Sequence, residues 1–188
     1  MNMDASDQKI QLKIQKEILQ SEDNLVFWIE SALKKCKYGQ PNTRSELEES
    51  QFRNLVRVAD STESPAVIKN FLRYQVGRDE KWGRGKGSLA EQIISDIDGN
   101  LRLEAEAIAE KASSTDIKLI WIELIRRYLG YGSRHLKYLK VEDKNKQKDN
   151  SQKAKSGMKG ILKKENSSST SKATDELIRD RRKEAKLE

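Results

Sequence analysis

The chain has 188 residues, of which 37 are Lys or Arg and 30 are Asp or Glu, and its charged share of 36% exceeds its hydrophobic share of 35%. Ordinary soluble domains carry about 25% charged and about 45–50% apolar residues, so these values fit one folded domain followed by a polar extension. No segment nears the roughly 18 consecutive apolar residues of a membrane span, the start Met1-Asn2-Met3-Asp4 is no secretory signal, and the lone Cys36 allows no internal disulfide.

Apolar residues recur at helical spacing through most of the first 140 positions. Ile10, Ile14, Ile18 and Leu19 mark a helix over 6–20. Leu25, Phe27, Trp28, Ile29, Ala32, Leu33 and Cys36 mark a second, which Gly39-Gln40-Pro41 ends. Thr43 with Glu46 reads as a capping box before Leu47, Phe52, Leu55, Val56 and Ala59. Ser64-Pro65 reads as an N-cap with proline at the first helical position, ahead of Val67, Ile68, Phe71, Leu72 and Val76.

Trp82-Gly83-Arg84-Gly85-Lys86-Gly87 reads as a loop, with Trp82 exposed on it. Ser88 with Glu91 is a second capping box, opening a helix with Leu89, Ile93, Ile94 and Ile97. Asp98-Gly99-Asn100 turns into a helix carrying Leu101, Ala105, Ile108 and Ala109. Thr115 is the expected cap of the last helix, with Ile117, Ile120, Trp121, Leu124, Ile125 and Tyr128 inward and a break at Gly130-Tyr131-Gly132. The prediction is an all-α fold: a compact bundle of six or seven short antiparallel helices over residues 1–140, with Trp28 and Trp121 largely buried. Residues 141–188 hold 14 basic and 9 acidic residues, a net of +5, with no aromatic. Such a lysine- and serine-rich tail buries too little apolar surface to offset its ordering entropy, so it is predicted disordered.

Catalytic and metal chemistry find little support. One histidine and one cysteine cannot provide the four N/S ligands of a structural zinc site. His135 stands among cations, and Cys36 lies on the apolar spacing of its helix. Asp96 and Asp98 are two apart and share no helix face. In Gly83-Arg84-Gly85-Lys86-Gly87, the lysine is followed by glycine rather than Ser or Thr, and no strand precedes it, so a Walker loop fails. What survives is a cationic glycine loop before a helix N-terminus, a combination that suits phosphate. No cofactor, metal, small-molecule substrate or membrane partner is expected, and no enzymatic activity.

Two stretches mix cations with aromatics and glycine. The first runs from Lys69 through Arg73, Tyr74, Arg78 and Lys81 to Trp82, Arg84 and Lys86; the second, from Arg126 and Arg127 through Tyr128, Tyr131, Arg134 and Lys137 to Lys140, has no carboxylate. Arginine forks onto phosphate, aromatic rings stack on bases, and glycine admits a close backbone. Arg53 and Arg57, one turn apart, add a smaller patch. The expected nucleic-acid-binding set is therefore Arg53, Arg57, Lys69, Arg73, Tyr74, Arg78, Trp82, Arg84, Lys86, Arg126, Arg127, Arg134 and Lys137, and the expected partners are RNA or single-stranded DNA together with other protein subunits, in the cytoplasm. The alternative is that the aromatics are core, the arginines form surface ion pairs, and the chain is a helical protein–protein adaptor.

Three features, Gln51-Phe52-Arg53-Asn54-Leu55, Phe71-Leu72-Arg73-Tyr74-Gln75 and the helix from Trp121 to Tyr138, resemble the small helical subunit of type III CRISPR effector complexes. The resemblance covers a minority of the chain, and the glycine loop and the tail lie outside it. It implies a helical bundle stacked within a ribonucleoprotein, with Arg53 and Arg57 facing the guide or target strand.

Overall fold

The computed structural model describes residues 5–38, 47–142 and 145. Among them the chain is all-α, with seven α-helices and no strand. They are α1 (Ala5–Gln20), α2 (Glu22–Lys35), α3 (Glu49–Asp60), α4 (Pro65–Arg78), α5 (Leu89–Asp98), α6 (Asn100–Ala112) and α7 (117–142), with one 3-10 turn at Glu80–Trp82. No helix among the described residues is long and apolar enough to cross a membrane. The expected helix end at Gly39-Gln40-Pro41, the expected capping box Thr43/Glu46, and the tail beyond residue 142 apart from Asn145 lie outside the described residues.

Local chemistry sets several boundaries. Ser64 precedes Pro65, the first residue of α4, as its spacing predicts. Ser88 Oγ accepts the Glu91 N–H at 3.2 Å and starts α5. Gly99 closes α5, its N–H donating to the Ser95 carbonyl at 2.8 Å, and α6 begins at the next residue. At α3 the first turn is held by Gln51, whose Oε1 accepts the Glu48 N–H at 3.1 Å.

Three local expectations are corrected. Thr115 does not cap α7. Asp116 holds that place: its carbonyl accepts the Leu119 N–H at 3.1 Å, and its own N–H is held by Ser114 Oγ. Gly130-Tyr131-Gly132 does not interrupt α7, which runs unbroken to residue 142 and so is not short. Gly132 is there for packing, since a Cβ on it would stand 2.6 Å from Ile29 Cγ1 and 2.7 Å from Phe52 Cζ. α7 thus crosses α2 and α3 at a distance that only glycine permits.

The third correction concerns the tryptophans. Trp82, expected on the surface of a loop, is fully buried, its ring 5.4 Å from that of Phe52. Trp28 and Trp121 are half-buried instead of enclosed. Trp121 keeps its indole N–H near the rim, donating to the Ile97 carbonyl at 2.9 Å. Around Trp82 and Phe52 the core gathers Leu25, Ile29, Leu55, Ile68, Leu72, Ile93, Ile97, Leu124, Ile125 and Leu129.

One carboxylate joins this core. Asp96 on α5 is buried, and its oxygens accept Tyr128 OH at 2.7 Å, Gln92 Nε2 at 3.1 Å and Asn100 Nδ2 at 3.2 Å. Burial pushes its pKa up, and the three donors partly counter that. Tyr128 is pushed well above the usual phenol range, first by its own burial and then by Asp96. The network fastens α7 to α5 and α6 and leaves none of these polar side chains unsatisfied.

Candidate nucleic-acid interface

The two cationic stretches meet different fates. On α7 the arginines turn to neighbouring helices. Arg126 Nε donates to the Ala59 carbonyl at 3.0 Å and its Nη2 to the Thr62 carbonyl at 3.1 Å. The guanidinium therefore satisfies carbonyls at and just beyond the C-terminus of α3, where the helix leaves acceptors without partners and favours a cation. Arg127 donates through Nε to Glu123 at 2.9 Å and through Nη1 to Glu22, joining α7 to α2. Both are corrected from binding residues to packing residues, and Tyr128 between them and Leu129 is wholly buried. Further along, Arg134 is exposed and lies 5.3 Å over the Tyr131 ring. Lys137 is exposed, 3.9 Å from Glu49. His135 Nδ1 is 3.1 Å from Glu30 Oε1, so the α7 histidine belongs to an inter-helix contact.

On α4 the outcome differs. The helix turns Pro65, Ile68, Leu72 and Gln75 inward and contains no carboxylate. Lys69 is corrected to an inter-helix partner: its Nζ meets Asp98 Oδ1 at 2.5 Å, and its side chain is 17% exposed. Arg73, Tyr74 and Arg78 lie on the solvent face, Tyr74 with 59% of its surface exposed. Neither arginine has an ionic or hydrogen-bonding partner among the described residues. Two further residues complete this face, Asn70 and Gly77, both exposed. The spacing 70-73-74-77-78 already groups them in the sequence, since residues three and four apart share a helix face. They are missed because neither side chain is charged or aromatic.

The glycine loop follows. Gly83, Gly85 and Gly87 take φ of 75°, 72° and 88°, a left-handed backbone that favours glycine. This coiling lets the Ser88 N–H reach the Gly85 carbonyl at 3.1 Å and presents Arg84 and Lys86 to solvent. The loop is fastened just beyond the end of α2, where Cys36 Sγ donates to the Gly87 carbonyl at 3.4 Å and burial raises the thiol pKa. Trp82 is removed from the candidate set, because its ring belongs to the core. Ser88 Oγ already occupies the Glu91 N–H at the start of α5, so that helix end offers a phosphate fewer open donors than expected. On α3, Arg57 is exposed with no partner among the described residues, whereas Arg53 lies 3.8 Å from Glu49. Among the described residues no three His, Cys, Asp or Glu side chains gather as a metal site.

Comparison with protein-family models, with curated proteins and with solved structures gives no match.

Proposed function

We propose that this chain is a non-catalytic, helical nucleic-acid-binding subunit of a cytoplasmic ribonucleoprotein assembly, with RNA or single-stranded DNA as its ligand. The observation that carries the reading is the solvent face of α4. Arg73 and Arg78 stand there on an acid-free helix, beside an exposed tyrosine and ahead of the loop cations Arg84 and Lys86. Unneutralised charge such as that of Arg73 and Arg78 repels itself, and a polyanion relieves that repulsion. Arg57 joins this set on the resemblance to type III CRISPR small subunits, which implies a strand-facing role for Arg53 and Arg57. If four to six groups meet phosphate, log K falls against log salt with a slope of about −3 to −4 on a single strand, at about −0.7 per contact. Polarisation titrations of labelled single strands at several salt concentrations test this, and absence of binding at low salt removes it.

A second reading, a helical adaptor, is favoured by one observation. Phe27 on α2 is 66% exposed at the edge of a groove of about 410 Å³ that Glu30, Lys34, Tyr38, His135 and Leu139 also line. Purifying the tagged protein from its host and identifying what accompanies it, protein or nucleic acid, separates the two readings.

A further inference from the structure

Among the described residues nothing packs on the side-chain position of Gly77. It lies in the last turn of α4, a Cβ added to it meets nothing within 4 Å, and its backbone is outside the left-handed region of the loop glycines. Alanine or glutamine fits there and makes a better helix, because glycine is among the weakest helix formers. Gly132 is explained by Ile29 and Phe52, and Gly83 by its φ and by Ser88 at 2.8 Å; no contact among the described residues explains Gly77. Its neighbours on the same face are Asn70, Arg73, Tyr74 and Arg78. Tyr74 leans on the half-buried Phe71, with ring centroids 6.4 Å apart, which limits the freedom of an otherwise exposed ring. Arg73 and Arg78 are about 7.5 Å apart along the helix axis, at 1.5 Å per residue, with Gly77 between them.

From this arrangement we infer that α4 carries a crossing point for a single strand: one base stacks on Tyr74, and the adjoining phosphate passes over Gly77 between the forks of Arg73 and Arg78. The inference rests on the nucleic-acid reading above and specifies it. The absent side chain at 77 is what lets the sugar–phosphate backbone settle low enough for both guanidinium groups to reach one phosphate. A duplex is a poor ligand here, since its bases already stack on each other and present no open π-face to Tyr74.

The test uses the full chain, labelled oligo-uridine, and the duplex that oligo-uridine forms with oligo-adenosine. Gly77→Gln is expected to raise the melting temperature and weaken binding of the single strand, two effects of opposite sense that a merely structural glycine does not produce. Gly130→Ala is the control, a glycine on α7 where an added methyl group meets nothing within 4 Å among the described residues. It raises the melting temperature and leaves binding unchanged. Tyr74→Ala weakens single-strand binding by about 5- to 150-fold, the range for one stacked base, while Tyr74→Phe retains most of it. Duplex affinity responds little to either tyrosine change. Unchanged single-strand binding in Gly77→Gln overturns the crossing, and an equal loss on strand and duplex in Tyr74→Ala overturns the stacking. A parent protein that binds neither probe at low salt fails the underlying reading instead, a result distinct from binding that ignores positions 74 and 77.

Discussion

The stretches 69–86 and 126–140 look alike as strings of arginine, tyrosine and glycine, yet the bundle uses the segments 73–78 and 126–132 within them in opposite ways. In the second, Arg126 and Arg127 bind carbonyls of α3 and carboxylates of α2 and α7, Tyr128 is buried on Asp96, and Gly132 is a packing contact. In the first, Arg73, Tyr74 and Arg78 face water, and a Cβ on Gly77 would meet nothing within 4 Å among the described residues. The helical phase of each cation, and what its neighbours leave unsatisfied, decide the difference. Composition alone does not separate a guanidinium that closes a helix end from one that awaits a phosphate.

The largest effect expected sits at the junction of the first stretch with the core. Trp82→Ala should destabilise the fold by about 3–5 kcal/mol, the usual range for a buried large aromatic, measured by urea unfolding. A variant as stable as the parent would return Trp82 to the surface and restore the likeness between the two stretches. Next comes Tyr128→Phe, which leaves the Asp96 carboxylate buried with one donor fewer and should cost about 1–3 kcal/mol.

The same pair gives a pH signature. The Tyr128 pKa is raised in the folded state, so its contribution is fully present below the unfolded phenol value of about 10 and is lost as pH climbs from there toward the folded value. The parent should lose stability more steeply than Tyr128→Phe in alkaline thermal melts, and parallel curves would count against the buried phenol.

Arg126→Ala ranks third, at about 1–2 kcal/mol for two charged hydrogen bonds on a half-buried side chain, with the salt dependence of binding untouched. A flatter salt slope in this variant would bring α7 into the interface. The smallest change in stability belongs to the Arg73→Ala/Arg78→Ala double variant, within about 0.5 kcal/mol of the parent as for other surface positions. Its salt slope should nevertheless shrink by about 1.4, two phosphate contacts at about 0.7 each. These last two variants together make the comparison sharp, because each moves only the quantity that the other leaves alone.

Features legible in the sequence were those whose physics is local. Ser64-Pro65, Ser88 with Glu91, and Asp98-Gly99-Asn100 declare helix ends through caps and turns that need only adjacent residues. Helical spacing likewise separates Ile68 and Leu72 from Arg73 and Tyr74. The misread positions depend on partners far along the chain. Arg126 answers carbonyls 67 and 64 residues away, and Arg127 a carboxylate 105 residues away. Trp82 is drawn inward by Phe52, and Gly132 is required by Ile29 and Phe52 together. A glycine that opens a crossing and a glycine that kinks a helix look the same until the facing helix is in place.

The thiol of Cys36, resting on the Gly87 carbonyl, makes the loop measurable as a clock. It is the only cysteine in the chain, it is half-buried, and its pKa is raised, so a thiol reagent reacts at one position and slowly. Its reaction rate is expected to rise whenever the segment from Gly83 to Gly87 lifts from the end of α2, since local opening takes less free energy than unfolding the bundle. A strand gripping Arg84 and Lys86 would hold that segment shut, and the clock would run slower in proportion to occupancy.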